Sequence, residues 1–247
     1  MTTPALILAA GRGQRMRPLT DTTPKPLLPV HGVPLIDWHV QALARGGFTQ
    51  LVINTDWLGQ QIPAYFANQI ALQLKENKRQ PLSISYSHEG LDFGGALETA
   101  GGIARALPLL ASADGVFWVL AGDVFTPGFE FTRAAVDKFI ASGKLAHLWL
   151  VPNPAHNLAG DFGLSADGLA LNASAASGQP RYTFSTIALY SKAFFDALPC
   201  GNPQGIKAPL APLLRTAMDN QQVSAQLYSG AWTDVGTPER LAELNRT

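Results

Sequence analysis

The apolar positions of this chain alternate between short unbroken runs and helical spacings. ALILAA (5–10) is a run with no polar residue in it, which predicts a strand buried on both faces. LVIN (51–54), LSISY (82–86) and VFWVLAGD (116–123) predict three more strands, the last stopping abruptly at Gly-Asp. Between them, PLIDWHVQALARGG puts Leu35, Ile36, Val40 and Leu43 on one helical face and ends at Gly46-Gly47. GQQIPAYFANQIALQL predicts a helix kinked or broken at Pro63. LETAGGIARALPLL carries a helical pattern weakened by Gly101 and Gly102.

The second half continues in the same way. FTRAAVDKFIAS predicts a helix and LAHLWLV a strand. FGLSADGLALN predicts a hairpin turning at Ala166-Asp167-Gly168. TFSTIALYS predicts a strand and APLLRTAMDNQ a helix. In WTDVGTPERLAEL, Thr237 is the expected N-cap and Pro238 the first helical residue. Strand–helix repetition of this kind predicts an α/β fold, with a Rossmann-like, mostly parallel sheet flanked by helices on both faces. Such sheets bind ligands beyond the carboxyl ends of their strands. Residues 153–182 are expected to form an insertion over that edge.

Composition narrows the functional classes. The 247 residues suffice for one large domain, and 47% apolar content excludes a disordered chain. The 18 basic and 18 acidic residues cancel, so a charge footprint for nucleic acid or an acidic membrane is lacking. Any anion must be met by a local site. The single cysteine, Cys200, fits a reducing compartment. The first apolar run is too short for a signal-peptide core, and no run approaches the length of a membrane span. The expectation is a cytoplasmic protein, monomer or homodimer, with no membrane and no nucleic-acid partner.

Candidate chemistry begins directly after the first strand, in Gly11-Arg12-Gly13-Gln14-Arg15-Met16-Arg17-Pro18. A dinucleotide fingerprint would need a small third residue opening a long helix. Here Met16 and Pro18 stand instead, and the phosphate-loop lysine motif is absent. Successive amides in a glycine turn nevertheless make an anion nest, and Arg15 and Arg17 add charge that can grip phosphate oxygens. The alternative is a solvated loop. Next comes Thr23-Pro24-Lys25-Pro26, in which the prolines are expected to hold Lys25 extended on a stiff stem.

Two aspartates stand at expected strand ends: Asp123 after VFWVLAG, and Asp234 just before the last helix. A nucleotide-bound Mg²⁺ takes one or two protein carboxylates, with phosphate and water completing its shell. Each aspartate has an ordinary alternative, Asp123 as a turn residue and Asp234 as a helix cap. In Ala96-Leu97-Glu98-Thr99-Ala100-Gly101-Gly102 the small residues would let a flat base or ribose pack on the backbone, the alternative being a weak helix start. Other chemistry finds little support: the five histidines include no i,i+4 pair, G-x-S-x-G is missing, and Cys200 sits in a Pro-Cys-Gly turn.

Taken in order, LAAGRGQRMRPLT, TPKPLLPV, ALETAGGI and AGDV resemble the motifs of the sugar-1-phosphate nucleotidyltransferases, over residues 6 to about 243. VINTDWLGQQI, GDF at Asp161, IKAPLAPLLRTAM and WTDVGTPERL look like the subgroup that transfers a uridylyl group from UTP to N-acetylmuramic acid α-1-phosphate. The resemblance implies a glycosyltransferase-A-like nucleotidyltransferase fold with a small sugar-binding insertion. It implies one domain, 1–247, with a nucleotide-binding part (about 1–125), a sugar-binding part (about 126–230) and a metal loop and helix (231–247).

It also implies roles. Arg15 and Lys25 would be catalytic, Arg15 near the β- and γ-phosphates and Lys25 near the α-phosphate. Ala9, Ala10, Gly11, Gly13, Ala96, Thr99 and Gly101 would join them in holding the nucleotide. Asp123 and Asp234 would hold Mg²⁺, and Asp161, Ser185 and Lys207 would serve the sugar phosphate. Glu98 departs from the glycine common in guanylyl-transferring relatives. The alternatives are mannose 1-phosphate with GTP, glucose 1-phosphate with dTTP or UTP, or a non-catalytic regulatory subunit. That last class would be expected to have lost one of Arg15, Lys25, Asp123 and Asp234, all of which are present.

Overall fold

The computed structural model describes residues 3–76, 82–174 and 178–246. Among the described residues one nine-stranded sheet forms the middle layer. Its strands are β1 (Ala5–Ala9), β2 (Gln50–Thr55), β3 (Ser83–His88), β4 (Val116–Ala121), β5 (Ala146–Val151), β6 (Phe162–Leu164), β7 (Ala170–Leu171), β8 (Arg181–Ser191) and β9 (Val223–Leu227). The helices are α1 (Leu35–Arg45), α2 (Gln61–Glu76), α3 (Glu89–Phe93), α4 (Glu98–Ala106), α5 (Arg133–Ser142), α6 (Leu210–Asp219) and α7 (Pro238–Leu244).

β3, β2, β1 and β4 lie side by side and parallel. The sheet then turns mixed: β8 runs antiparallel to β4 on one side and to β5 on the other, and β9 pairs parallel with β5. The mostly parallel sheet expected from the sequence is present, with β8 and the short β7 as the reversed strands. The β6–β7 hairpin turns where expected and pairs with the first residues of β8.

β1 is buried on both faces, as its unbroken apolar run requires. Leu6 faces a core shared with Ile103 of α4 and Leu214 of α6, while Ala5 and Ile7 face a core shared with Val40 of α1 and Phe139 of α5. α1 ends at Gly46 as predicted, and Thr237 caps α7 by accepting from the Arg240 amide at 3.4 Å. Pro63 neither kinks nor breaks α2. It is the third residue of that helix, inside the first turn, where a missing N–H breaks no intrahelical bond.

A third, smaller core bears directly on the site. Met16, Leu28, Val30, Leu35, Phe125, Val235 and Leu241 pack together. They draw the loop after β1, the start of α1, the segment after β4 and helix α7 into one cluster. Met16, which spoils the dinucleotide fingerprint, is fully buried there and anchors the loop.

Gly13 keeps this loop tight. Its φ is +64°, and a Cβ would lie 2.9 Å from Thr20 Cγ2 and 3.2 Å from Lys25 Cβ. Its carbonyl accepts from Thr20 Oγ1 at 2.8 Å and from the Met16 amide at 2.9 Å. Gly13→Ala is therefore expected to lower the unfolding free energy by about 1–2 kcal/mol, the cost of a left-handed L-residue. Urea denaturation measures this, and an unchanged midpoint would contradict it.

Candidate active site

β1 is the strand at which the order of connection reverses: the chain passes from it to β2 and β3 on one side, then returns to β4 on the other. At such a switch point the loops beyond two neighbouring strands part and leave a crevice. A cavity of about 680 Å³ opens there. Ala9, Ala10, Gly11, Lys25, Ala96, Thr99, Asp123 and Asp161, expected at the site, all line it. Gly13, Arg15, Gly101, Asp234, Ser185 and Lys207 do not.

Residues 10–13 leave β1 as a loop, and Gln14–Met16 form a 3₁₀ turn. Among the described residues the amides of Gly11 and Arg12 donate to no protein acceptor, which leaves an open anion nest beside the cavity. The three arginines divide. Arg12 stacks over the Trp57 ring, 4.5 Å from its centroid. Arg17 is paired with Asp21 at 2.6 Å, so it braces the loop, contrary to its expected phosphate-gripping charge. Arg15 is exposed and has no protein partner among the described residues.

Lys25 is not extended as the pre-proline rule suggested. Pro24 takes the extended conformation, and Lys25–Leu27 form a 3₁₀ turn closed by Leu28 N–H donating to the Lys25 carbonyl at 3.1 Å. The stiff stem is retained in another form. Lys25 is only 7% exposed, and its Nζ donates to Asp123 Oδ2 at 2.5 Å.

Asp123 and Asp234 are brought together by a short antiparallel pair in which Val124–Phe125 faces Thr233–Asp234, with Asp234 opposite Val124. The Val235 amide donates to the Asp123 carbonyl at 3.1 Å. Asp234 Oδ2 accepts from Arg240 Nη1 at 2.8 Å and lies 3.4 Å from His156 Nε2. The second oxygen of each carboxylate has no protein partner among the described residues. Asp123, just before one strand of this pair, and Asp234, within the other, each have an oxygen to give, which fits the small protein share that Mg²⁺ takes beside a phosphate. No group of three or more metal-ligating side chains occurs among the described residues.

The residues missed by sequence reasoning hold the two walls of the cavity together. Asn54, at the end of β2, accepts from the Ala9 amide at 2.6 Å and donates to Glu89 Oε1 at 2.6 Å. Glu89 Oε2 accepts from the Leu97 amide at 2.7 Å. This chain fastens the end of β1 to the 96–99 segment. Burial raises the Glu89 carboxyl above its ordinary pKa, against the hydrogen bonds from Leu97 and Asn54 that favour the charged form. The signal was two polar residues at strand ends, Asn54 in the last positions of β2 and Glu89 just after β3.

Gly101, expected against the nucleotide, faces the opposite way. A Cβ there would lie 2.4 Å from the Ile206 carbonyl oxygen, and the Ala208 carbonyl accepts from the amides of Ala100 and Gly101 at 2.9 and 3.1 Å. The glycine permits backbone-to-backbone contact with the 206–208 segment.

Of the three residues expected to serve the sugar phosphate, Asp161 lines the cavity, and Ser185 and Lys207 do not. Asp161 reaches the cavity, but its carboxylate accepts from the Phe184 amide at 2.8 Å and from Asn157 Nδ2 at 3.1 Å, fastening the insertion to β8. Ser185 is fully buried in the bulge of β8, and its hydroxyl donates to the Trp149 carbonyl at 2.7 Å. Lys207 is exposed outside the cavity. The residues that line this end instead include Phe162, Phe184 and Arg215, whose guanidinium donates to Asn172 Oδ1 at 2.6 Å.

Comparison with known proteins agrees with this architecture. A family model described as nucleotidyl transferase matches residues 4–168. The N-acetylmuramate α-1-phosphate uridylyltransferase of Neisseria meningitidis serogroup B is 46% identical over 244 residues, covering 97% of this chain and 95% of that protein. The enzyme of the same description from Caulobacter vibrioides is 29% identical, over 95% and 92%. A UDP-glucose pyrophosphorylase solved with UDP-glucose superposes with a TM-score of 0.73 at 17% identity, covering 100% of this chain and 98% of that one. At that identity the likeness is one of fold.

Glu89→Ala would leave the Asn54 amide and the Leu97 N–H without acceptors, each at a cost of about 1–3 kcal/mol. A drop of that order in urea-unfolding free energy is expected. Wild-type stability would show that the network does not hold the two walls.

Proposed function

Because the chain belongs to the sugar-1-phosphate nucleotidyltransferase family, we propose that its cleft joins UTP and N-acetylmuramic acid α-1-phosphate. The products would be UDP-N-acetylmuramic acid and pyrophosphate. This choice of substrates rests on the near-full-length likeness to the Neisseria enzyme. The observation that carries the chemistry is the buried Lys25 ammonium, held on Asp123 at the switch point beside the open Gly11–Arg12 nest. A product of this kind is a precursor of peptidoglycan, so the reaction belongs to recycling of cell-wall sugar in the cytoplasm.

In the proposed reaction an oxygen of the sugar 1-phosphate attacks the α-phosphorus of UTP. One P–O bond forms to the sugar phosphate, the bond to the β-phosphate oxygen breaks, and pyrophosphate leaves on the far side. The attacking phosphate is already anionic, so no general base is needed. The obstacle is the approach of two polyanions. Two unit charges 4 Å apart repel by about 4 kcal/mol at an effective dielectric of 20.

The chain answers with fixed charge. Lys25 would lie against the α-phosphate, donating from a stem too buried to wander. The Gly11–Gly13 turn would receive the triphosphate on its amides, and Arg15 would reach the β- and γ-phosphates. Enzymes of this family generally use a divalent metal ion; Asp123 and Asp234 would hold it as Mg²⁺, and it would supply charge neutralisation at the reacting phosphates. Ala9, Ala10, Ala96 and Thr99 would line the nucleotide. Asp161 would act on the sugar side through the insertion it fastens. All four charged groups of the reacting centre are retained, which favours an enzyme over a non-catalytic binding subunit.

The direct test crosses UTP, GTP, ATP and dTTP with the 1-phosphates of N-acetylmuramic acid, N-acetylglucosamine, glucose and mannose, with pyrophosphate release as the readout. UTP with N-acetylmuramic acid 1-phosphate is expected to give the highest kcat/KM. A higher value for any other pair overturns the assignment. With the accepted pair, Lys25→Met, and separately Asp123→Asn combined with Asp234→Asn, should each lower kcat/KM by roughly 10²-fold or more, the scale of one electrostatic donor. Turnover near wild type in a variant with unchanged Tm removes those roles.

A further inference from the structure

Glu98 is the one charged residue of the 96–99 segment, and its backbone is in the left-handed region at φ +61°. An L-residue is disfavoured there and glycine is not. The side chain lines the cavity beside Ala96 and Thr99, is exposed, and has no protein partner among the described residues. It opens α4, whose N-cap is the apolar Leu97. It is not needed to cap the helix, because the Ala208 carbonyl already accepts from the amides of Ala100 and Gly101. Favourable interaction of an acid with a helix start does not require a left-handed residue. The conformation therefore has another effect: it directs a free carboxylate at whatever fills the cavity.

Where in the cavity this happens follows from the hydrogen-bond chain already described. Leu97, the neighbour of Glu98, is tied through Glu89 and Asn54 to the amide of Ala9. Glu98 thus belongs to the wall that is fastened to the end of β1. The chemistry of a carboxylate then limits its partner. An ionised carboxylate only accepts hydrogen bonds. It is repelled by the phosphates. A uracil edge offers it one N–H donor flanked by two carbonyl oxygens, which would face its second oxygen unfavourably. The vicinal 2′- and 3′-hydroxyls of a ribose offer two donors side by side, one for each carboxylate oxygen.

We propose that Glu98 binds the ribose diol of the nucleotide and makes the enzyme select ribonucleotides over 2′-deoxyribonucleotides. The proposal rests on the nucleotidyltransferase reading of the cleft but not on uracil as the base.

The test compares kcat/KM for UTP and 2′-deoxy-UTP in the wild type, Glu98→Gly and Glu98→Asn. Glycine relieves the strained backbone and asparagine tolerates it, so both variants are expected to fold, with Tm equal to or above wild type. The wild type should prefer UTP by roughly 10- to 100-fold, the scale of hydrogen bonds to a charged group. In both variants the preference should fall to within about threefold, through loss of activity with UTP and not with 2′-deoxy-UTP, while KM for the sugar phosphate is little changed. No preference in the wild type, or a preference retained in Glu98→Gly, overturns the proposal. If the substrate panel finds another base, the same comparison is run with that ribo/deoxyribo pair. Failure of the uridylyl assignment and failure of the ribose contact are then separate results.

Discussion

A single ion pair organises this molecule's cleft. Lys25 and Asp123 are 98 residues apart in sequence and 2.5 Å apart at their charged atoms. An ammonium with a buried stem needs an anion, and Asp123 stands where β4 ends. The pair therefore fixes the loop after β1 against the end of β4 at the point where the sheet's order reverses. As a source of stability such a pair is weak, since desolvation offsets much of the attraction. Its importance is geometric: it holds a cation and an anion, each able to take a further partner, at the rim of the same cavity.

The packing around the pair explains why it stays there. Met16, Leu28 and Val30 from the first turns meet Phe125, Val235 and Leu241 from far later in the chain. That small core carries the short strand pair beside Asp123 and Asp234 together with the lysine turn. Of the loop's arginines, Arg12 rests on the Trp57 ring and keeps its charge, Arg17 is paired with Asp21, and only Arg15 remains without a protein partner among the described residues.

The order of strands and helices was legible because each element carried its own punctuation. β1 is an apolar run, α1 ends at paired glycines, and α7 begins at Thr-Pro. The direction of β8 was not legible: TFSTIALYS reads the same whether it runs parallel or antiparallel. The charged groups of the site were legible as residue types, Asp123 at a strand end and Lys25 between two prolines. The sugar side was less so, because spacing does not say which way a side chain turns in a bulged strand. Ser185 turns inward to the Trp149 carbonyl. Gly101 was read as a surface for a ligand and is instead the clearance for the Ile206 backbone. Asn54 and Glu89 escaped notice because their bonds span 45, 35 and 8 residues and belong to no motif.

The last described turn of the chain is stitched back onto its beginning. Asn245 accepts from the His31 amide at 2.7 Å and donates to the Pro29 carbonyl at 3.1 Å, just beyond the lysine turn. Asp234 joins the segment after β4 through the same late stretch. The turn that carries Lys25 and the strand that carries Asp234 are thus leaned on by one and the same stretch, 233–245, so a displacement of that stretch moves both together.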